Sequence, residues 1–549
     1  MKTITYRKFI SGFCLILLIG ISIPATAQTN YYFYVQLKNK NNSTYSLSNP
    51  SAYLSQRSIA RRVTFNIPID STDLPVNQAY VQQIENLGVH VHSASKWMNG
   101  VTVKLPDSTK MSLVRALPFV KFVQYTGLLV GSVQAPVQKA PEHDLAFNYG
   151  IATGQINQLN GTQLHNEGYR GKGIHIGVID AGFTNVDINP CFDSLRLQGR
   201  LLGIKDIINP NSNIYSEDTH GAMVLSTMTG NLPGQYLGTA PSASYWLIRT
   251  EYSPTEYKVE TDFWCSGIEF ADSVGVDIAT SSLGYSTFDD SRMSFSYADM
   301  NGKVSRASRA ATMASKKGIV VLVAAGNEGN VAWHYISSPA DAEEIISVGA
   351  VTSTGTPSYF SSFGPSSDGR IKPEICATGT SSALVSTNGS TTYGNGTSFA
   401  TPIMAGMMAC LLQKYKASNQ VLNITSLLNS VFRTGSLYAN PTAQMGYGIP
   451  DFQKAEQNLS LLNSLNHVQN DNVSITYDSA SQTINIKLIN NLILDESFIR
   501  IYSIMGKLLV NQPLNTTSTA IQVDKLSKGI YAVSVTENGK TETKKILIH

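Results

Sequence analysis

The chain has 549 residues, more than one small hydrophobic core can organise, so several domains are expected. Its formal net charge of +3, with no long basic run, argues against nucleic acid as a partner. Neither observation points to a particular chemistry. The order of segments along the chain is more informative.

The N-terminus has the layout of a cleaved secretory signal over residues 1–27. A positive head precedes an apolar run and a small-residue cleavage site: Lys2, Arg7 and Lys8, then residues 13–23, then Ala25-Thr26-Ala27. A transmembrane anchor is the alternative, but the apolar run is short and no other segment is long enough to span a bilayer. The sequence therefore predicts a protein that is secreted or held at the outer cell surface.

Export would allow the cysteines of the mature chain to pair. Four cysteines remain after the signal, and they allow three full pairings between which the sequence cannot choose: Cys191, Cys265, Cys376 and Cys410. Cys410 lies in an apolar segment, which favours a buried free thiol.

Residues 28–140 are predicted to form a small α+β domain followed by an exposed linker, 132–141. Short β-rich segments alternate with amphipathic helical ones: strands at 31–37, 98–105 and 119–125, and helices at 76–87 and 111–116. The linker is rich in Gln, Pro and Ala, as sites of proteolysis often are.

Residues 141–465 are predicted to form an α/β domain with a parallel sheet and helices on both faces. Apolar, β-branched runs alternate with helical segments: strands at 173–180, 243–249, 276–284, 318–326 and 345–351, and helices at 259–275 and 305–318. Ligands in such sheets bind at the carboxyl ends of the strands. Residues 466–549 consist of short strands separated by turns, which predicts an all-β sandwich. No group of residues in this segment suggests catalysis.

Ser398 has two interpretations when its own stretch is considered alone. Gly394 and Gly396 permit tight backbone conformations, and a helix is expected to begin at Ser398, with Pro402 in its first turn. Serine is a preferred helix cap, but a helix start also favours developing negative charge.

Three other segments favour the nucleophile. Asp180 ends one buried strand, Asn327 follows another between glycines, and His220 precedes a helix of small residues. Ser398 would attack a carbonyl, His220 would act as base, and Asp180 would orient the imidazole. The Asn327 amide and the Ser398 N–H would bind the oxyanion. The chain order of acid, base and nucleophile is that of subtilisin.

Residues 143–462 resemble the subtilisin-like serine peptidases (subtilases). Six motifs occur in the family's order: VIDAG at Asp180, DTHGAMV at His220, SSLGYS at 281–286, VAAGNEGN at Asn327, SSFGPSSDGRIKPEICATG at 361–379, and GNGTSFATPIMAG at Ser398. The resemblance implies endopeptidase activity and a seven-stranded parallel sheet. It also implies two backbone edges that pair with an extended substrate: Ser282, Leu283 and Gly284, and Ala324, Ala325 and Gly326.

Some positions depart from the family pattern. Ala181 replaces the Ser or Thr that usually follows the catalytic Asp, and Tyr285 adds bulk beside a substrate-binding edge. None of these departures removes a group that the proposed catalysis requires. The floor of the specificity pocket is expected between Asn330 and Ser338.

The flanking domains fit the same resemblance. The N-terminal domain resembles a subtilase propeptide, which would inhibit the enzyme until it is cut within 126–145. The C-terminal domain resembles the type IX secretion sorting domains of Bacteroidota, on the segments 501–509, 526–540 and the closing TKKILIH. The expected partners are protein or peptide substrates, the chain's own propeptide and the secretion machinery.

No cofactor is required by this chemistry. Structural calcium is conceivable in the loop 287–301, which carries Asp289, Asp290, Asp299 and Asn301, although an acidic solvated loop is the commoner explanation. A catalytically inert surface-binding protein is the alternative function. An esterase is excluded because Ser398 lies in Gly-Thr-Ser-Phe-Ala and not in a Gly-x-Ser-x-Gly elbow.

Overall fold

The computed structural model describes residues 29–130, 148–417, 424–464, 473–478, 481–488, 497–503, 507–514, 516–537 and 540–548. The expected signal, 1–27, and linker, 132–141, lie outside the described residues, as does most of the expected maturation region. Among the helices that are described, none has the length and apolar character needed to cross a bilayer.

The N-terminal domain is a four-stranded antiparallel sheet in the order β2-β3-β1-β4, with helices packed beside it. Its elements are β1 (Thr29–Leu37), α1 (Gln56–Thr64), α2 (Gln78–Glu85), β2 (His90–Ser95), β3 (Gly100–Leu105), α3 (Met111–Ala116) and β4 (Val120–Val130). The α+β prediction is correct in outline. Helix α1 and strand β2 were not predicted, and both contact the next domain.

The central domain is built on a seven-stranded sheet in the order β13-β12-β11-β10-β5-β9-β6, and all its paired strands are parallel. The strands of this domain are β5 (His175–Asp180), β6 (Leu201–Asp206), β7 (Asn231–Leu232), β8 (Tyr236–Leu237), β9 (Ser244–Arg249), β10 (Ile278–Ser281), β11 (Val320–Ala324), β12 (Ile346–Val351), β13 (Ile375–Thr378), β14 (Ser382–Val385) and β15 (Thr391–Gly394). Strands β7 and β8 pair with each other, as do β14 and β15.

Helices cover both faces of this sheet, as predicted. They are α4 (Thr153–Gln158), α5 (Thr162–Asn166), α6 (Asp193–Leu197), α7 (His220–Thr229), α8 (Val259–Val274), α9 (Arg306–Lys316), α10 (Thr397–Ala417), α11 (Ile424–Phe432) and α12 (Phe452–Ser464). Side chains of β11 alternate between the two cores: Val320 and Leu322 pack with α7 and α10, while Val321 and Val323 pack with α8 and α9. Burial on both faces explains why these strands are continuously apolar.

The C-terminal region consists of two antiparallel sheets that share one core, in the orders β16-β17-β20 and β19-β18-β21-β22. Its strands are β16 (Val473–Asp478), β17 (Thr483–Leu488), β18 (Phe498–Ser503), β19 (Leu508–Pro513), β20 (Ser518–Gln522), β21 (Gly529–Glu537) and β22 (Lys540–Ile548). Ile484 and Ile499 are fully buried between the sheets. This arrangement agrees with the predicted sandwich.

The four mature-chain cysteines are buried free thiols, so none of the three pairings forms. Cys410 is the thiol that was expected to be free, and it contacts the carbonyl oxygen of Thr239 at 3.3 Å. Burial raises the pKa of each thiol, which keeps all four protonated.

The N-terminal domain docks on α8 through buried charges. Asp272 is fully buried and pairs with Arg61, with Arg62 at 3.0 Å and with Lys96 at 2.6 Å. The Glu269 carboxylate, one turn earlier, accepts hydrogen bonds from the backbone N–H groups of Lys96 and Trp97. Three cations from one domain thus converge on a single carboxylate of the other.

Candidate active site

Asp180 and His220 are brought together by β5 and α7. Asp180 is the last residue of β5 and is completely buried, and His220 is the first residue of α7. The His220 Nδ1 atom lies 2.8 Å from Asp180 Oδ1. This contact fixes the ring orientation and leaves the opposite ring nitrogen available to act as a base.

The second oxygen of Asp180, Oδ2, has no hydrogen-bond partner among the described residues. Ala181 explains this in part, because the Ser or Thr usual at its position would supply a hydroxyl. The Ala181 N–H does bind Oδ1, at 2.8 Å, so the carboxylate keeps two interactions through that oxygen.

Ser398 is the second residue of α10 and is 8% exposed. Its Oγ lies 3.4 Å from the carbonyl oxygen of Ser282, and its own carbonyl accepts a hydrogen bond from the Ser282 hydroxyl at 2.8 Å. The ring of Phe399, the next residue, lies 6.1 Å from the His220 ring. Ser398 and His220, the nucleophile and base candidates, line the same cavity.

The predicted position of Pro402 in the first turn is wrong. The helix begins at Thr397, so Pro402 is its sixth residue and lies within the helix. A proline there cannot donate to the carbonyl four residues back, which is that of Ser398. The Ser282 hydroxyl donates to that free carbonyl instead. The missing helical hydrogen bond is thus replaced by a contact between the candidate nucleophile and one of the predicted substrate-binding edges.

Asn327 follows β11, as predicted, and the start of α10 fixes its orientation. Its Oδ1 accepts hydrogen bonds from the N–H and the hydroxyl of Thr397, at 2.9 and 3.0 Å. Because both contacts use the oxygen, the Nδ2 donors remain available to a ligand. Gly326, just before it, has a φ of +114°, a conformation that favours glycine.

His220, Asn327 and Ser398 line one cavity of about 290 Å³. Five of the six predicted edge residues line it: Ser282, Leu283, Gly284, Ala324 and Gly326. The sixth, Ala325, is fully buried outside the cavity lining, and its N–H and carbonyl bond to Val348 and Ser337. Ser337 falls within the expected pocket floor, 330–338, and its Oγ would meet a Cβ on Gly284 at 2.3 Å.

The His220 imidazole is electrostatically tuned. Burial lowers its pKa, but the charge of Asp180 and the hydrogen bond to it outweigh burial and raise the pKa to about 9. Asp218 and Glu251 add to the increase. A ring stabilised as imidazolium in this way can hold a proton taken from a hydroxyl.

Glu251 is a cavity residue that the sequence interpretation missed. It lies two residues beyond the end of β9, just as Asp180 and Asn327 lie at strand ends, so the strand-end rule could have found it. Glu251, Glu256 and Glu260 bring carboxylate oxygens within 4.8 Å of one another. Tyr285, predicted only as bulk, is fully buried and donates its hydroxyl to Glu251 at 3.0 Å.

The acidic groups of loop 287–301 are occupied by protein donors. Asp289 accepts from the N–H of Glu256, Asp290 pairs with Arg292, and Asp299 caps the short turn that follows Ser296. They do not form a three-ligand cluster among the described residues. Calcium binding in this loop stays a prediction, and the donor set offers it little support.

Comparison with known proteins settles the family. Residues 171–448 match the model of the subtilase family, which covers half of the chain and all four candidate catalytic residues. The chain is a subtilase. It is a subtilisin-like serine endopeptidase, and its seven-stranded parallel sheet agrees with the fold that the resemblance implied.

Several curated relatives are subtilisins. The chain is 29% identical to subtilisin NAT of Bacillus subtilis subsp. natto over 336 residues, which cover 60% of this chain and 75% of the relative. It is 31% identical to a subtilisin of Bacillus pumilus, with coverage of 47% and 84%. It is also 31% identical to serine protease AprX of Bacillus subtilis, with coverage of 44% and 58%.

The flanking domains of this subtilase also match family models. Residues 32–141 match the peptidase S8 propeptide domain of Bacteroidota, and residues 470–549 match the secretion system C-terminal sorting domain. Both assignments confirm the sequence resemblance. The sorting domain indicates a protein that is secreted or attached to the outer surface.

Proposed function

We propose that this subtilase hydrolyses peptide bonds through an acyl-enzyme formed on Ser398. The observation that carries the proposal is the Asp180–His220 hydrogen bond at the cavity that Ser398 also lines. Ser398 Oγ attacks the scissile carbonyl carbon while His220 takes the hydroxyl proton. His220 then returns this proton to the leaving amine as the C–N bond breaks, and water hydrolyses the resulting ester by the same route.

Asn327 and the start of α10 stabilise the oxyanion of the tetrahedral intermediate. The Asn327 Nδ2 group and the Ser398 N–H are the proposed donors, since Thr397 occupies the Asn327 oxygen. Donors fixed before the reaction need no reorganisation as charge develops. Asp180 holds the His220 tautomer and stabilises the imidazolium without itself taking the proton.

The edges Ser282–Gly284 and Ala324–Gly326 hold the substrate as an added β-strand. Pairing to the Ala324 side uses Ala324 and the Gly326 N–H, because the backbone groups of Ala325 and the carbonyl of Gly326 are already bonded within the protein. The side chain before the scissile bond enters the space beside Gly284, Gly326 and Ser337.

The propeptide domain inhibits the enzyme until it is cut, and the mature peptidase domain spans about 141–465. The docking of Arg61, Arg62 and Lys96 on Asp272 supports a tight complex. Strand β4 passes close to the loop that carries Glu251, since a Cβ on Gly127 would lie 2.5 Å from Tyr257 Cβ. A Ser398→Ala chain is expected to retain its propeptide, and normal removal in that variant would exclude self-processing.

Hydrolysis of a broad peptide library by the wild type, Ser398→Ala and Asp180→Asn tests the mechanism. The expected losses in kcat are about 10⁶-fold and about 10⁴-fold, the values known for subtilisin and for a triad aspartate. Ser390→Ala, an exposed serine in the β14–β15 turn, is the control and should retain full activity. A folded wild type without activity would favour the inert surface-binding alternative.

A further inference from the structure

The substrate cavity is lined by acidic groups. Asp218, Glu251 and Glu328 line it, and among the described residues His220 is the only basic side chain that does. A cleft lined by one sign of charge concentrates ligands of the opposite sign. This charge pattern favours cationic peptides over acidic ones.

Among these acidic residues, Glu251 is held in position by hydrogen bonds from buried groups. The buried Tyr285 hydroxyl holds one of its oxygens at 3.0 Å. Glu260, completely buried behind it, accepts hydrogen bonds from the backbone N–H groups of Tyr252 and Tyr257, at 2.8 and 3.0 Å. The loop that presents Glu251 to the cavity is therefore fixed at both of its ends.

Burying carboxyl groups together is costly, and the cost is lowered when protons are shared. Burial and the neighbouring Glu251 raise the pKa of Glu256 to about 9, and burial raises that of Glu251 to about 7. The other ionisable groups that act on Glu251 are Tyr285, Asp180 and His220. The pKa of Glu256 is raised further than that of Glu251, so Glu256 is the group that holds the shared proton and Glu251 is the one that carries negative charge beside the cavity.

The direction of an extended substrate assigns Glu251 to one position. Side chains of a strand alternate between its two sides. In the proposed function the residue before the scissile bond points toward Gly284, Gly326 and Ser337, so the residue preceding it points to the other side of the substrate strand. Glu251 lines the same cavity and lies close enough to His220 for its charge to raise the His220 pKa. We propose that Glu251 selects an arginine or lysine as the second residue before the scissile bond. This inference rests on the proposed function and names its substrate class.

Tyr285 is the positioning residue for this contact, because it binds Glu251 and is itself fully buried. A hydrogen bond between a charged donor and a carboxylate is among the stronger polar contacts in proteins. Replacing the substrate cation by an isosteric apolar group should lower kcat/KM by about 10- to 100-fold.

The test uses the mature enzyme obtained from the full chain and two fluorogenic peptides that differ only at the second residue before the cut, Arg or Leu. The wild type should favour the Arg peptide by about 10- to 100-fold in kcat/KM at pH 8. Glu251→Gln should bring the ratio close to one, and Tyr285→Phe should give an intermediate ratio. Glu343→Gln, which removes a charge outside the cavity lining, should keep the wild-type ratio.

The pH dependence separates recognition from a merely structural role. The Arg-to-Leu ratio should rise as pH increases through about 7, where Glu251 ionises, and should be flat in Glu251→Gln. The ionisation of His220 changes both rates by the same factor and leaves their ratio unchanged, because both peptides use the same base. Damage to the fold would lower both rates and leave the ratio unchanged, so it cannot imitate this result.

A wild-type ratio of one or less, or an unchanged ratio in Glu251→Gln, would overturn the inference while leaving Ser398-dependent hydrolysis intact. If neither peptide nor any member of a broad library is cleaved by the folded enzyme, the proposed function fails and this inference with it. The two failures are therefore distinguishable.

Discussion

Replacing Asp272 by Asn should release the propeptide domain from the catalytic domain. The substitution keeps the shape of the side chain and removes the charge that Arg61, Arg62 and Lys96 share. All four side chains are at least nine-tenths buried, so the cations would be left without their common anion. Breaking a buried ion pair in this way costs about 3–5 kcal/mol.

This cost corresponds to a loss of about 10²- to 10³-fold or more in propeptide affinity, since about 1.4 kcal/mol equals a factor of ten. The assay is inhibition of the mature enzyme by a single preparation of the propeptide added in trans, for the wild type and Asp272→Asn. Asp193→Asn, which removes an ion pair with Arg196 inside the catalytic domain, is the matched control. Both partners belong to α6 and not to the propeptide domain, so the inhibition constant of this variant should stay near the wild-type value.

The pH dependence of the same constant gives a second check. Burial raises the pKa of Asp272, but Lys96, Arg61 and Arg62 outweigh it and hold this pKa far below the usual 3.8. A carboxyl whose pKa is depressed in the docked state stabilises docking above 3.8 and loses that effect only below. Acidification to pH 5 should therefore leave the ion pairs of Asp272, which anchor the propeptide domain, intact. Equal inhibition of the wild type and Asp272→Asn would refute the anchor altogether.

Three further predictions concern the catalytic domain. Asn327→Ala should lower kcat by about 10²- to 10³-fold with a small change in KM, and an unchanged kcat would remove Asn327 from the oxyanion site. In wild type, kcat/KM should rise with pH toward an apparent pKa near 9, because His220 must lose its proton to act as base, and Asp180→Asn should lower that pKa. The stabilisation from this raised pKa is present below 6.5 and fades as pH rises through about 9, which thermal unfolding can follow. Thiol titration should detect four free cysteines per mature chain only after unfolding, and fewer than four would indicate a disulfide.

The sequence predicted five of the seven strands of the central sheet, all except β6 and β13, and singled out the four catalytic candidates. Strands buried on both faces are continuously apolar, and residues such as Asp180 and Asn327 at their ends are conspicuous against that background. The same argument shows why β6 was missed, since its LLGIKD sequence is only partly buried at the edge of the sheet.

Features that depend on contacts between segments distant along the chain could not be predicted in this way. Helix α1 buries Arg61 and Arg62 against Asp272, so its packed face is charged and lacks an apolar stripe. Pro402 was placed in the first turn because helix-start preferences favour it there, whereas the Ser282 contact makes a later position acceptable. Glu251 could have been found from its strand-end position, but its contact with Tyr285, 34 residues away along the chain, could not be predicted.

Labelling with a fluorophosphonate tests most directly whether Ser398 is the nucleophile. Mature, folded enzyme should gain one phosphonyl group per chain, and peptide mass spectrometry should locate it on Ser398. Ser398→Ala should remain unlabelled, and Ser390→Ala should be labelled like the wild type. No adduct on the folded wild-type enzyme, or an adduct on another residue, would contradict the account.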